Sequence, residues 1–120
     1  MKGHVDEYRQ CWVEITIIGG REEITVDAIV DTGFDGWVCL PIPVAIHLGL
    51  ELYGLQTVEL ADGTLKEELV FRGKVIFGDE ERWAEITLTN AQDTLLGTGL
   101  LADSVLTIDF VDRTLEVARK

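Results

Sequence analysis

The residues best suited to chemistry are Asp31, Thr32 and Gly33, which follow directly after an apolar run at residues 24–30. A carboxylate at the end of a buried strand is partly withdrawn from water, and this environment makes it a candidate acid or base. The glycine allows the backbone to turn tightly and to approach a neighbouring segment. The tripeptide is short, and it also fits a plain turn, in which Asp and Gly are common residues.

The segment before the tripeptide has the pattern of a β-hairpin. Residues 11–18 form a β-rich run, Gly19-Gly20 is a turn signal, and residues 24–30 place apolar side chains at every second position. Alternation of this kind is typical of a strand with one buried face. The tripeptide is therefore expected at the end of the second hairpin strand.

The segment after the tripeptide predicts one short helix at residues 44–48. Pro41 and Pro43 bracket its expected start, because proline is tolerated in a first helical turn. Gly49 stands where a helix C-terminus often ends.

A second hairpin is predicted at residues 57–61 and 64–71, which flank Asp62-Gly63. An Asp-Gly pair between extended runs is a strong hairpin signal, because both residues of the usual two-residue turn need positive φ.

The remaining elements are short apolar runs separated by polar turns. These are expected strands at residues 37–40, 74–77, 83–88, 107–110 and 114–117, with a short apolar, helix-like segment at residues 100–106. Together they predict an all-β barrel or folded sheet with one or two short helices, formed by residues 1–120 as a single domain.

The order of these features resembles that of the retropepsin-like aspartic proteases, in particular the small prokaryotic members in which Phe follows Asp-Thr-Gly. The Asp-Gly hairpin comes about thirty residues after the tripeptide, and Leu95-Leu96-Gly97 and the helix-like segment follow. The resemblance runs from about Val13 to Phe110. It implies the retropepsin-like fold, a hydrolase without a cofactor or metal, and one half of an active site in each chain.

Carried over to this chain, the resemblance implies that Asp31 is the catalytic carboxylate. Thr32 would bond across to the matching loop of a second chain, and Gly33 would offer backbone contacts to a bound peptide. Leu95-Leu96-Gly97 would cross behind this loop.

The same resemblance implies a set of substrate-binding residues. Phe34 and Asp35 follow the tripeptide, and Asp35 matches a position that binds the substrate main chain. The second hairpin would be a flap, with Ala61, Asp62 and Gly63 at its tip. Thr98 stands where viral members carry arginine, so an arginine bridge to Asp35 cannot form from that position.

A second catalytic carboxylate is missing from the chain. Peptide hydrolysis by this route needs two carboxylates that share a proton around one water. Asp93-Thr94-Leu95 and Asp103-Ser104-Val105 lack the glycine, and Asp62-Gly63-Thr64 has the wrong order. The enzyme hypothesis therefore requires a homodimer whose two-fold axis passes between two Asp31 side chains.

Charge and composition narrow the possible partners. The formal net charge is −12, from 22 acidic and 10 basic residues, which disfavours nucleic acid and anionic membrane surfaces as partners. A peptide or protein substrate is expected instead. The polar N-terminus lacks the apolar core of a secretory signal, so a cytoplasmic location is the default.

Three further features have plain interpretations. A calcium loop starting at Asp31 fails because its twelfth position is Ile42. His47 is interpreted as a surface or packing residue, and Glu67-Glu68 as part of a solvated strand. The alternative to an enzyme is a non-catalytic retropepsin-like module that holds a peptide or partner strand without cutting it.

Overall fold

The protein is an all-β fold with ten strands and two short helices. The computed structural model describes all 120 residues, Met1–Lys120. The elements in chain order are β1 (Lys2–Val5), β2 (Cys11–Ile18), β3 (Glu23–Val30), β4 (Val38–Pro41), α1 (Ile42–Leu48), β5 (Glu51–Glu59), β6 (Leu65–Phe77), β7 (Glu80–Thr89), β8 (Thr94–Leu96), α2 (Thr98–Leu101), β9 (Ser104–Asp109) and β10 (Thr114–Arg119). The helices have seven and four residues, and neither is long enough to span a membrane.

Six of the strands form a closed barrel. They follow the order β6-β7-β4-β8-β3-β2, and a pairing between β2 and β6 closes the ring. The pairs β3–β8 and β4–β7 are parallel, and the other pairs are antiparallel. Closure leaves the barrel itself without an edge strand.

The core is one cluster of 19 buried apolar residues, of which 13 lie on the six barrel strands and the others on β1, β10 and the two helices. Ile17, Val38, Ile86 and Leu96 are among its fully buried members. Burial of such side chains contributes about 1.5–3 kcal/mol each relative to exposure. The alternation predicted for β3 is confirmed, because Ala28 and Val30 are buried at its C-terminal end.

Three strands extend the sheet beyond the barrel from β2, in the order β1, β10 and β9. Met1 continues the pairing of β1 with β10, since its N-terminal ammonium donates to the Val117 carbonyl and its carbonyl accepts the Val117 N–H. Residues 1–10 thus form part of the sheet through β1, a feature that their sequence left open.

Several predicted boundaries were wrong. The expected strands at residues 64–71 and 74–77 are one strand, β6, and β5 begins at Glu51 rather than residue 57. The helix-like segment expected at residues 100–106 ends as a helix at Leu101, and Ser104 already begins β9. Helix α1 starts two residues earlier than predicted, with Pro43 in its first turn.

Candidate functional site

Asp31 lies at the first position after β3, where the backbone leaves the barrel wall. Its N–H donates to the Leu96 carbonyl on β8 at 2.9 Å, and its carbonyl accepts the Phe34 N–H at 3.1 Å. Its Oδ1 accepts the Gly33 N–H at 2.9 Å. The half-buried side chain is thus oriented by its own loop through Oδ1, and Oδ2 has no hydrogen-bond partner within the chain.

Thr32 and Gly33 are exposed at the turn that follows. The Thr32 hydroxyl has no hydrogen-bond partner within the chain, and an added Cβ at Gly33 would lie 3.2 Å from Asp31 Oδ1. Both residues therefore face away from the barrel, on the surface that a second molecule can reach.

The segment that crosses behind this loop is Gly97, Thr98 and Gly99. Strand β8 places it there by pairing with β3 in parallel and with β4 in antiparallel register. The three backbone N–H groups donate to the carbonyls of Trp37, Phe34 and Gly36, each at 2.9 Å. The crossing was predicted at Leu95-Leu96-Gly97; only Gly97 takes part in it, and Leu95 and Leu96 lie in β8 between β3 and β4.

Gly97 allows this close crossing because it has no side chain. A Cβ at Gly97 would lie 2.3 Å from the Gly36 carbonyl oxygen and 2.6 Å from that of Phe34. The Phe34 ring packs against Gly36 and Gly97, and this contact leaves the ring half-buried. Phe34 thus has a packing role in addition to the substrate contact predicted for it.

A cleft of about 510 Å³ lies between this loop and the β5–β6 hairpin. Such a volume is in the usual range of ligand pockets. The loop contributes Phe34, Asp35, Gly36 and Trp37; the hairpin contributes Gln56, Thr57, Val58, Glu59 and Glu68; and Glu85 comes from β7.

The predicted site residues divide between this cleft and two exposed turns. Phe34 and Asp35 line the cleft, whereas Asp31, Thr32 and Gly33 lie outside its lining at the adjacent turn. Ala61, Asp62 and Gly63 occupy the exposed tip of the hairpin and do not line it either.

The tip of the hairpin is a three-residue loop, not the two-residue turn expected from Asp62-Gly63. The Leu60 N–H donates to the Thr64 carbonyl, and the Gly63 N–H donates to the Leu60 carbonyl. Among the three residues of the loop, only Gly63 has positive φ, at 86°. In the common three-residue hairpin loop, a type I turn is followed by one residue with positive φ, and here that residue is Gly63. The expectation that Asp62 also needs positive φ was therefore wrong.

Asp62 stabilises this tip through its side chain. Its Oδ1 accepts the Thr64 hydroxyl at 2.6 Å and the Thr64 N–H at 3.0 Å. Both hydrogen bonds lower the pKa of Asp62 below its ordinary value, and the one from the hydroxyl has the larger effect. The residue therefore orders the exposed turn.

Eight of the ten residues of the cleft wall were not among the predicted site residues; they are Gly36, Trp37, Gln56, Thr57, Val58, Glu59, Glu68 and Glu85. Glu68 was interpreted as solvated, but it is half-buried, and its Oε1 accepts a hydrogen bond of 2.6 Å from Gln56 Nε2. Period-two alternation places Glu67 and Glu68 on opposite faces of β6, but only the register, in which Gln56 is the cross-strand partner of Glu68, identifies the one that lines the cleft.

Comparison with solved structures assigns the fold. The structure is similar to a retropepsin-like aspartic protease from Rickettsia conorii, with a TM-score of 0.68 and 17% sequence identity over 98% of this chain and 91% of that chain. The chain has the retropepsin-like fold.

Two viral proteases give the same result. The EIAV protease bound to an inhibitor matches with a TM-score of 0.62 and 15% identity, over 82% of this chain and 90% of that chain. The simian foamy virus protease matches with a TM-score of 0.57 and 16% identity, over 76% of this chain and 91% of that chain. At the level of sequence, no family model and no curated protein matches.

Proposed function

We propose that the chain is one half of a homodimeric aspartic endopeptidase, with Asp31 as its catalytic carboxylate. The observation that carries the proposal is the position of Asp31 directly after β3, within a fold shared with three aspartic proteases. The chain offers one Asp-Thr-Gly sequence, so a second copy must supply the other carboxylate.

In the proposed mechanism, the two Asp31 carboxylates hold one proton and one water between them. The ionised carboxylate takes a proton from the water while the oxygen attacks the peptide carbonyl carbon. The protonated carboxyl gives its proton to the carbonyl oxygen, and a tetrahedral intermediate forms. The intermediate collapses when the carboxyl that took the water proton gives it to the amide nitrogen and one hydroxyl of the intermediate returns its proton to the other carboxylate; the C–N bond breaks, an acid and an amine are released, and the pair again holds one proton.

The remaining site residues have supporting roles in this proposal. Thr32, whose hydroxyl is free within the chain, would hydrogen-bond to the loop of the second copy. Gly33 and Asp35 would bind the substrate backbone, with Phe34 beside them. The β5–β6 hairpin, with Ala61, Asp62 and Gly63 at its tip, would close over an extended peptide held by strand-like hydrogen bonds.

The test compares the wild type with Asp31→Asn on a diverse peptide library, with products identified by mass spectrometry. Cleavage by the wild type and none by the variant is the expected result. Asp27→Asn is the matched control, because Asp27 is an exposed aspartate on the same strand, away from the loop. Full activity in Asp31→Asn would remove that residue from the mechanism.

A non-catalytic peptide-binding module is the second candidate. It is favoured by the Phe34 ring, which lies over Gly36 and Gly97 and takes up space beside the loop. A peptide that binds the wild-type dimer and stays intact would support this function over the first.

A further inference from the structure

The cleft between the loop and the β5–β6 hairpin has an unusual distribution of charge. Four of the residues that line it carry carboxylates, and none is a lysine or an arginine. The four are Asp35, Glu59, Glu68 and Glu85. None of them takes part in any of the ion pairs of the chain.

The nearest cations along the strands are occupied or lie outside the cleft. Arg72 is the cross-strand partner of Glu85, but its guanidinium pairs with Glu51 at 3.5 Å and stacks 4.7 Å from the Trp83 ring. Lys66 is exposed opposite Val58 and does not line the cleft. Arg72 and Lys66 thus lie beside the cleft, but neither forms an ion pair with one of its four carboxylates.

Two aromatic rings complete the wall. Phe34 and Trp37, three and six residues after Asp31, line the same cleft from the loop side. An aromatic face attracts a cation, and an arginine side chain can stack on a ring while its N–H groups bind carboxylates. Carboxylates and aromatic rings around one open space are the groups that recognise an arginine or lysine side chain.

We propose that the cleft selects substrate peptides that carry an arginine or lysine side chain beside the bond to be cut. This inference rests on the endopeptidase proposed above and names the class of its substrates. Binding of a cationic side chain relieves the mutual repulsion of the four carboxylates, which solvent screens only in part within a cleft. An apolar or acidic side chain at the same place gains no such interaction.

Glu68 and its sequence neighbour provide a matched pair for the test. Glu68 lies on the cleft face of the hairpin, where Gln56 holds one of its oxygens at 2.6 Å and leaves the other free. Glu67 is exposed and does not line the cleft. The same Glu→Gln change at the two positions therefore removes one charge inside the cleft or one outside it.

The test measures peptide binding separately from cleavage. Each fluorescent peptide has an apolar sequence in which one residue is replaced by arginine, norleucine or glutamate, and the replaced position differs from one peptide to the next. These peptides are titrated onto the Asp31→Asn protein. We expect the best arginine peptide to bind about tenfold more tightly than its norleucine counterpart. Glu68→Gln combined with Glu85→Gln should reduce that preference to about threefold or less, and Glu67→Gln should leave it unchanged. Circular dichroism verifies that each variant folds, and Glu85→Gln alone serves if the double variant does not.

Failure of this inference can be told apart from failure of the proposed function. Equal binding of the arginine and norleucine peptides, or no binding of either, would overturn the preference whether or not the wild type cleaves peptides. A preference that survives in the Glu68→Gln, Glu85→Gln variant would also overturn it. A preference in Asp31→Asn without cleavage by the wild type would retain the basic-peptide site and remove the enzyme.

Discussion

The Phe34 carbonyl oxygen accepts two hydrogen bonds from Thr98, one from the backbone N–H at 2.9 Å and one from the hydroxyl at 3.4 Å. This relationship joins the loop that carries Asp31 to the segment that crosses behind it. Asp35, which was expected to lack the arginine bridge of the viral members because Thr98 stands at the arginine position, is exposed and in no ion pair. Backbone hydrogen bonds and a hydroxyl thus stabilise the loop in place of a salt bridge.

The first prediction concerns the close crossing at Gly97. Gly97→Ala should lower the free energy of unfolding by about 3 kcal/mol, because the new methyl group would collide with backbone oxygens that cannot rotate away. The nearest, the Gly36 carbonyl, lies 2.3 Å from the position of the added carbon. Urea unfolding at neutral pH measures the change.

Gly54→Ala is the control for that substitution. Gly54 lies in β5 at a position where an added Cβ meets no atom within 4 Å. A strand residue other than glycine also loses less backbone entropy on folding, so a change within about 0.5 kcal/mol is expected. Equal losses in the two variants would mean that the crossing at Gly97 is not close.

The second prediction concerns the tip of the β5–β6 hairpin. Gly63→Ala should destabilise the hairpin by about 1 kcal/mol, because Gly63 has φ of 86°, which costs energy for a residue with a Cβ. Gly63→Asn should cost less, since asparagine tolerates this region better. Amide hydrogen exchange of β5 and β6 reports the local change, and equal exchange in both variants and the wild type would contradict it.

The third prediction is a pH dependence that arises at Asp103. Burial raises the pKa of Asp103, but the hydrogen bond from Ser104 and the charge and hydrogen bond of Arg82 outweigh it and lower the pKa below the ordinary value of 3.8. The carboxylate also lies 3.0 Å from Nε of Arg119. These partners join β7, β9 and β10 at one point.

The sign of the effect follows from the lowered pKa. Because the folded state holds the proton less tightly than the unfolded state, Asp103 contributes stability above about pH 4 that is lost as the pH falls through its folded pKa. Asp103→Asn should therefore lose less stability than the wild type between about pH 5 and pH 3. Urea midpoints across this range provide the measurement, with Asp109→Asn as a control; parallel losses in wild type and Asp103→Asn would contradict the prediction.

Local patterns were enough to predict the β2–β3 hairpin, the presence of helix α1 and the position of the turn at Gly63, but not the start of the helix or the type of the turn. The prediction divided strand β6 into runs at residues 64–71 and 74–77, on either side of Gly73. In the structure Gly73 lies within β6 and is closely packed, since a Cβ there would lie 3.0 Å from Leu50 and 3.1 Å from Ile86. Such a requirement depends on residues distant in sequence, and no local signal carries it.

The position of Glu68 could not be predicted for a similar reason. Its place in the cleft depends on the register of β5 against β6, which includes an irregularity between Leu52 and Gly54. A shift of one residue would turn Glu68 outward and Glu67 into the cleft. The sequence contains both glutamates side by side, and the pairing alone distinguishes them.

The central claim is that each chain contributes one carboxylate to a shared site, and mixing of subunits tests it most directly. Wild type and Asp31→Asn are combined in equal amounts at fixed total protein, exchanged to equilibrium, and assayed for cleavage of a peptide that the wild type cuts. If the active species is a dimer that needs both Asp31 residues, random pairing makes about a quarter of the dimers fully wild type. The mixture should then have about a quarter of the activity of pure wild type at the same total protein concentration. Activity at about half that of the wild type would show that each chain acts alone and would contradict the account.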